Sequence, residues 1–203
     1  MIFVGITGGI GSGKSLVCSL FEKKGVPIFY ADDVAKEISN RPEVKKEIIR
    51  EFGSTILLHN DELDRKKIAT IVFSEHEKLL RLNSIIHPYV FVEFDLWKRN
   101  LHSPTPYALA EAALLFESSM NKQMDYTLAI VASEEVRLRR VMERDNVAKE
   151  LVQARMMHQL PMQELIERAD FTLYNDGTES ELKTKVDFFH TLFTTLTQRA
   201  ELQ

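Results

Sequence analysis

Five of the chain's eight glycines fall within its first thirteen residues: Gly5, Gly8, Gly9, Gly11 and Gly13. The first six or so residues, from Ile2 to Thr7, are an almost unbroken apolar run with β-branched members. Such a run predicts a strand buried on both faces. Beyond the glycines, the spacing predicts a helix from Lys14 to about Lys24, ended by Gly25-Val26-Pro27. The stretch Gly8-Gly9-Ile10-Gly11-Ser12-Gly13-Lys14-Ser15 satisfies G-x-x-x-x-G-K-[ST]. Glycines let the backbone curl so that successive N–H groups point inward and make a nest for phosphate oxygens. The first turn of the following helix adds unpaired donors and the positive end of its dipole. Gly8, Gly9, Gly11, Ser12, Gly13, Lys14, Ser15 and Leu16 are therefore expected to cradle ATP, Leu16 through its backbone N–H alone. Lys14 would bridge the β- and γ-phosphates, and the Ser15 hydroxyl would hold Mg²⁺.

The rest of the chain alternates in the same manner. Further strands are expected at Ile28–Tyr30, Tyr107–Glu111, Tyr126–Val131 and Phe171–Tyr174, with helices between them and a last amphipathic helix ending near Thr197. That pattern predicts a five-stranded parallel sheet flanked by helices. Residues 32–102 read as mostly helical, too long for a simple crossover, so an inserted helical subdomain is expected there. With 203 residues, 44% of them apolar and 28% charged, the chain reads as an ordinary soluble globular protein. Its net charge of −4 argues against nucleic acid as a partner. One cysteine, Cys18, rules out a disulfide within the chain and fits a reducing compartment. There is no basic leader and no apolar run near the ~20 residues that a membrane helix needs. A cytoplasmic protein without a membrane partner is expected.

The reaction is read from the remaining residues. Guanine-nucleotide switches carry a D-x-x-G segment, which this chain lacks, and Asn121-Lys122-Gln123-Met124-Asp125 is one residue too long for their base-reading motif. Motor and transport ATPases carry an apolar strand ending in Asp. Here the third strand ends in Glu111, a candidate to support magnesium, and the fourth runs into Ala132-Ser133. Asp32 and Asp33 follow the second strand, and in a doubly wound sheet ligands lie at the carboxyl ends of the strands. A carboxylate there can accept a proton from an attacking hydroxyl or help bind magnesium; either residue could instead cap a helix. Arg137, Arg140 and Arg144 share one helical stripe beside a core face of Leu138, Val141 and Met142. Like charges so spaced repel unless an anion sits among them or the face is simply solvated.

Several of these segments together resemble the dephospho-coenzyme A kinase family. Gly5 through Ser15 reads like that family's opening. Tyr30-Ala31-Asp32-Asp33-Val34-Ala35 resembles its D-A-D-x-x-A segment, with Tyr30 in place of the first aspartate and Asp32 at the presumed base. His87-Pro88 matches its His-Pro, and Ala113-Leu114-Leu115-Phe116-Glu117 resembles its P-L-L-F-E, with Ala113 replacing proline. Arg140 to Asp145, Arg155 and Gln159 resemble its lid, and Ala169-Asp170 and Asn175-Asp176-Gly177 its closing segments, the latter near the adenine. The resemblance implies transfer of the ATP γ-phosphoryl group to the ribose 3′-hydroxyl of dephospho-coenzyme A. Lys14, Mg²⁺ and Arg140 would stabilise the transferring group; Arg144, Asn175 and Gly177 would hold nucleotide. Asp32 and His87 would meet the acceptor. It implies one kinase domain over 1–203: a core of 1–31, 105–135 and 169–203, a substrate subdomain at 32–104, and a lid at 136–168. A nucleoside kinase and an ATP-binding module without catalysis are the alternatives.

Overall fold

A computed structural model describes residues 1–157 and 159–200. Residues 201–203, the end of the expected core range, lie outside it. The strands are β1 (Ile2–Thr7), β2 (Ile28–Tyr30), β3 (Tyr107–Glu111), β4 (Tyr126–Val131) and β5 (Phe171–Tyr174). All pair in parallel, in the order β2-β3-β1-β4-β5. The helices are α1 (Lys14–Glu22), α2 (Ala31–Ser39), α3 (Pro42–Phe52), α4 (Arg65–Ser74), α5 (His76–Asn100), α6 (Glu134–Asp145), α7 (Lys149–Met156), α8 (Met162–Arg168) and α9 (Glu179–Ala200). Two compact units result, one of residues 1–30 and 101–203, the other of residues 31–100.

In the sheet unit, the pleat separates large residues from small ones. Ile2, Val4 and Ile6 share one face with Tyr107, Leu109, Leu128, Ile130 and Leu173. That face is covered by Val17, Cys18 and Phe21 of α1 and by Leu182, Val186, Phe189 and Phe193 of α9. The opposite face carries Gly5, Ala108, Ala110 and Ala129, which lets Leu115 and Met124 press close. A Cβ on Gly5 would stand 2.9 Å from both side chains. Burial on both faces explains why the strands are apolar runs rather than alternating ones.

The helix ends are made by local chemistry. Gly25 closes α1 with a φ of 79°, and the Val26 N–H reaches Phe21 O at 3.2 Å while the Gly25 N–H reaches Glu22 O at 2.8 Å. That pair of bonds satisfies the last carbonyls and turns the chain into β2. At the other end of the chain, Thr178 and Glu181 form a reciprocal cap for α9: Thr178 N–H donates to Glu181 Oε2 at 2.7 Å, and Glu181 N–H to Thr178 Oγ1 at 3.3 Å.

In the helical unit, α5 packs against α2, α3 and α4 through Ile86, Val90 and Phe94, one buried residue per turn. A cavity of about 250 Å³ lies among Ile48, Leu63, Ile68, Val72, Leu82 and Ile86. Two readings are corrected here. Asp33 does not cap: it lies in the first turn of α2, which starts at Ala31, and pairs with Lys36 Nζ at 2.6 Å. Carboxylates in that turn favour the helix dipole without capping. Met142 is exposed, since the core-facing arc of α6 holds only Leu138 and Val141.

Candidate active site

The glycine bend leaves the carboxyl end of β1, the central strand of the sheet, where open α/β sheets form their ligand crevice. Gly13 is the residue before α1 and adopts a φ of 96°. The first helical bond runs from Val17 N–H to Gly13 O at 3.0 Å, so the N–H groups of Lys14, Ser15 and Leu16 precede the ladder and face the bend. The glycines are also required by close approach. A Cβ on Gly8 would collide with Ile130 O, one on Gly9 with Arg137 Nη1, and one on Gly13 with Asn175 Nδ2. Gly11 packs just as tightly, its added Cβ falling 2.6 Å from Arg137 O.

Distant elements hold the loop in shape. Lys14 Nζ donates to Gly8 O at 2.7 Å and stands 3.8 Å from Glu111 Oε1 at the end of β3. Asn175 is buried; its backbone N–H bonds Val131 O at 2.7 Å and its Nδ2 donates to Ser12 O at 2.8 Å. The next residue, Asp176, accepts from Ser133 N–H at 2.7 Å and so fixes the start of α6. That hydrogen bond holds the Asp176 carboxyl below the usual range. From residue 159 the Gln159 Oε1 accepts the Ile10 N–H at 2.7 Å. Behind the loop, Cys18 is fully buried; burial first, then Glu111, pushes its thiol pKa up, which makes it an inert packing residue.

A cleft of about 330 Å³ opens over the loop. Of the residues expected at the site, Gly9, Gly11, Gly13, Lys14, Ser15, Leu16, Arg140, Arg144 and Asn175 line it. Gly8 and Ser12 belong to the same loop. Gly177 lies before the α9 cap, where an added Cβ would collide with Glu181 Oε2. Asp32 and His87 belong to the helical unit, Asp32 on α2 two residues past β2 and His87 on α5. His87 packs beside Phe91, ring centroids 6.3 Å apart, and burial lowers its pKa. Arg144 bonds Asp145 through Nε at 2.7 Å, and Arg155 Nη1 reaches the same carboxylate at 3.0 Å. The Arg144 bond is the main reason the Asp145 pKa is lowered.

Among the described residues, Ser12 Oγ, Arg137 Nε and Arg140 Nη1 are buried without a hydrogen-bond partner. Leaving such atoms unpaired costs on the order of 1–3 kcal/mol each, more for charged groups. All three belong to the loop or to the helix facing it, and two are cationic, so an anion in the cleft is the kind of partner that would satisfy them. No group of three or more His, Cys, Asp and Glu that could hold a metal occurs among the described residues. The exposed Ser15 hydroxyl fits a magnesium ion shared with nucleotide phosphates, since that ion takes few protein ligands and keeps several waters. Sequence periodicity put three arginines on one stripe but gave no sign that Arg137 is the one packed on Gly9, nor that Asp176 anchors the helix carrying them.

Known proteins resemble the chain in sequence and fold. A family model described as dephospho-CoA kinase matches residues 2–181. The dephospho-CoA kinase of Salinibacter ruber is 43% identical over 187 residues, 91% of this chain and 94% of its own length. That of Fusobacterium nucleatum is 39% identical over 190 residues, 93% of this chain and 97% of its own length. A crystal structure of a Thermus thermophilus protein matches with a TM-score of 0.80 at 34% identity, covering 100% of this chain and 98% of that one. The matched span starts at β1 and ends in the cap of α9, so it takes in the glycine loop, the arginines of α6 and Asn175. By both sequence and architecture, the chain belongs to the dephospho-CoA kinase family.

Proposed function

We propose that the chain is an ATP-dependent kinase that moves the γ-phosphoryl group of ATP to the ribose 3′-hydroxyl of dephospho-coenzyme A, the last step of coenzyme A biosynthesis. The observation that carries this reading is a family match running across a loop whose surrounding cations lack the anion they need. The N–H groups of Lys14, Ser15 and Leu16 take phosphate oxygens at the dipole end of α1. Lys14 exchanges the Gly8 carbonyl for the β- and γ-phosphates, and Arg140 stabilises charge on the transferring group. Mg²⁺ bound with ATP would be held by the Ser15 hydroxyl and would neutralise phosphate charge. Gly177 and the backbone beside Asn175 lie on the adenine side.

On the acceptor side, Asp32 takes the proton of the attacking hydroxyl, and the helical unit with His87 binds dephospho-coenzyme A. Residues 136–168, held to the loop through Gln159, act as a lid. The enzyme works in the cytoplasm; no helix among the described residues is long and apolar enough to cross a membrane. ADP release measured with ATP, Mg²⁺ and either dephospho-coenzyme A or a panel of nucleosides tests the reading. Turnover should require dephospho-coenzyme A. Equal or faster turnover of a nucleoside would replace the acceptor, and nucleotide binding without any transfer would remove the enzyme altogether.

A further inference from the structure

We propose that Arg137 contacts the terminal phosphoryl group of ATP and lets the site tell ATP from ADP. The inference rests on the kinase reading above and adds a residue to its machinery. Arg137 lies on α6 one turn before Arg140, and the two reach opposite ends of the loop. Arg140 Nη1 comes to 3.8 Å from where a Cβ on Gly13 would be, at the helix end. Arg137 Nη1 fills the space that a Cβ on Gly9 would take, at the strand end. The N–H groups at the helix end hold the inner phosphates in a loop of this type. A cation at the opposite end is therefore placed for the far oxygens of the outermost one, the group that Arg140 meets from the helix end.

Three further facts fit a contact with substrate rather than a structural prop. Arg137 Nε is buried with no acceptor among the described residues. Burial lowers the guanidinium's pKa, and the one carboxylate opposing that effect is Glu134, three residues earlier on the same helix. The loop's own donors nearby are already engaged: Ile10 N–H goes to Gln159 and Ser12 N–H to Gly9 O at 3.0 Å. A phosphate arriving at Gly9 would therefore find Arg137 there beside Lys14, whose ammonium rests on Gly8 O. A half-buried guanidinium whose Nε has no acceptor weakens the empty protein, a cost retained at sites where a ligand repays it.

The test compares wild type with Arg137→Met, which keeps the stem and removes the charge. Affinity for ADP and for a non-hydrolysable ATP analogue, both with Mg²⁺, is measured by calorimetry, and ligand-free melting by fluorescence. The ATP analogue should bind at least ~10-fold more weakly to the variant, with ADP affinity changed by less than ~2-fold. The ligand-free variant should melt no lower than wild type. Equal weakening of both nucleotides, or undiminished analogue binding, overturns the inference. A lower ligand-free melting point with discrimination intact overturns it in favour of a prop. Should the variant not fold, Arg137→Gln carries the same comparison. Wild type that binds neither nucleotide would unseat the kinase reading and this inference with it, whereas a binding wild type and an indifferent variant reject this inference alone.

Discussion

Lys14 holds its position before any phosphate arrives, because the Gly8 carbonyl accepts a hydrogen bond from it and Glu111 stands 3.8 Å away. The ammonium then needs only to exchange a carbonyl for phosphate oxygens, with little side-chain ordering left to do. Lys14→Ala should reduce turnover by at least ~10²-fold, the scale for losing one preorganised charge-stabilising donor. Near-normal rates in a coupled assay would mean the nucleotide is held differently. Asp32→Asn should lower turnover while leaving the KM for ATP nearly unchanged. If turnover falls and the KM for ATP rises with it, the residue serves magnesium rather than the acceptor's proton. At this scale the sequence was legible where a motif fixes the backbone, as at Gly13 and Lys14. It was not legible for Arg137, Arg140 and Arg144, which share one stripe and differ only in what faces each of them.

At the scale of elements, β1, β2 and β3 could be read because each is a short apolar run with glycine or proline at one end. Gly25-Val26-Pro27 before β2 and Pro104-Thr105-Pro106 before β3 are examples. The segment 31–100 could not be divided so easily. Its breaks depend on Pro42 at the start of α3, on Gly53 with a φ of 80°, and on the Asp64 cap of α4, none of which interrupts the apolar spacing strongly. The three residues Asn175-Asp176-Gly177 also do more than turn the chain. Asn175 grips the loop, Asp176 the start of α6, and Gly177 leaves room for the α9 cap. Asp176→Ala should free the Ser133 N–H, cost about 1 kcal/mol in chemical denaturation and raise the KM for ATP several-fold, because the arginines ride on that helix. An unchanged KM would mean that α6 keeps its place without the bond.

For the whole molecule, two partly buried histidines tie stability to pH. Burial lowers the pKa of His87 in the helical unit and of His190 in the sheet unit. His190 Nδ1 and the Tyr107 hydroxyl share a hydrogen bond of 2.7 Å, which ties the ring into the sheet unit. Below about pH 6.5 the unfolded chain therefore binds more protons than the folded one, and stability falls as pH drops. Asp145 and Asp176, whose pKa values are lowered, add to the loss only below about pH 4. Unfolding free energy should decline between pH 7 and 5.5, and His190→Gln, which keeps an acceptor for Tyr107, should flatten the decline. A flat wild-type profile over that window would contradict the burial argument.

Asn175 reaches back 163 positions to Ser12, and the sheet inserts β1 between two strands made long after it. On the ribosome, the glycine bend must wait for the segment around Asn175 before it is braced, so a chain cut short of that point carries the loop without its brace.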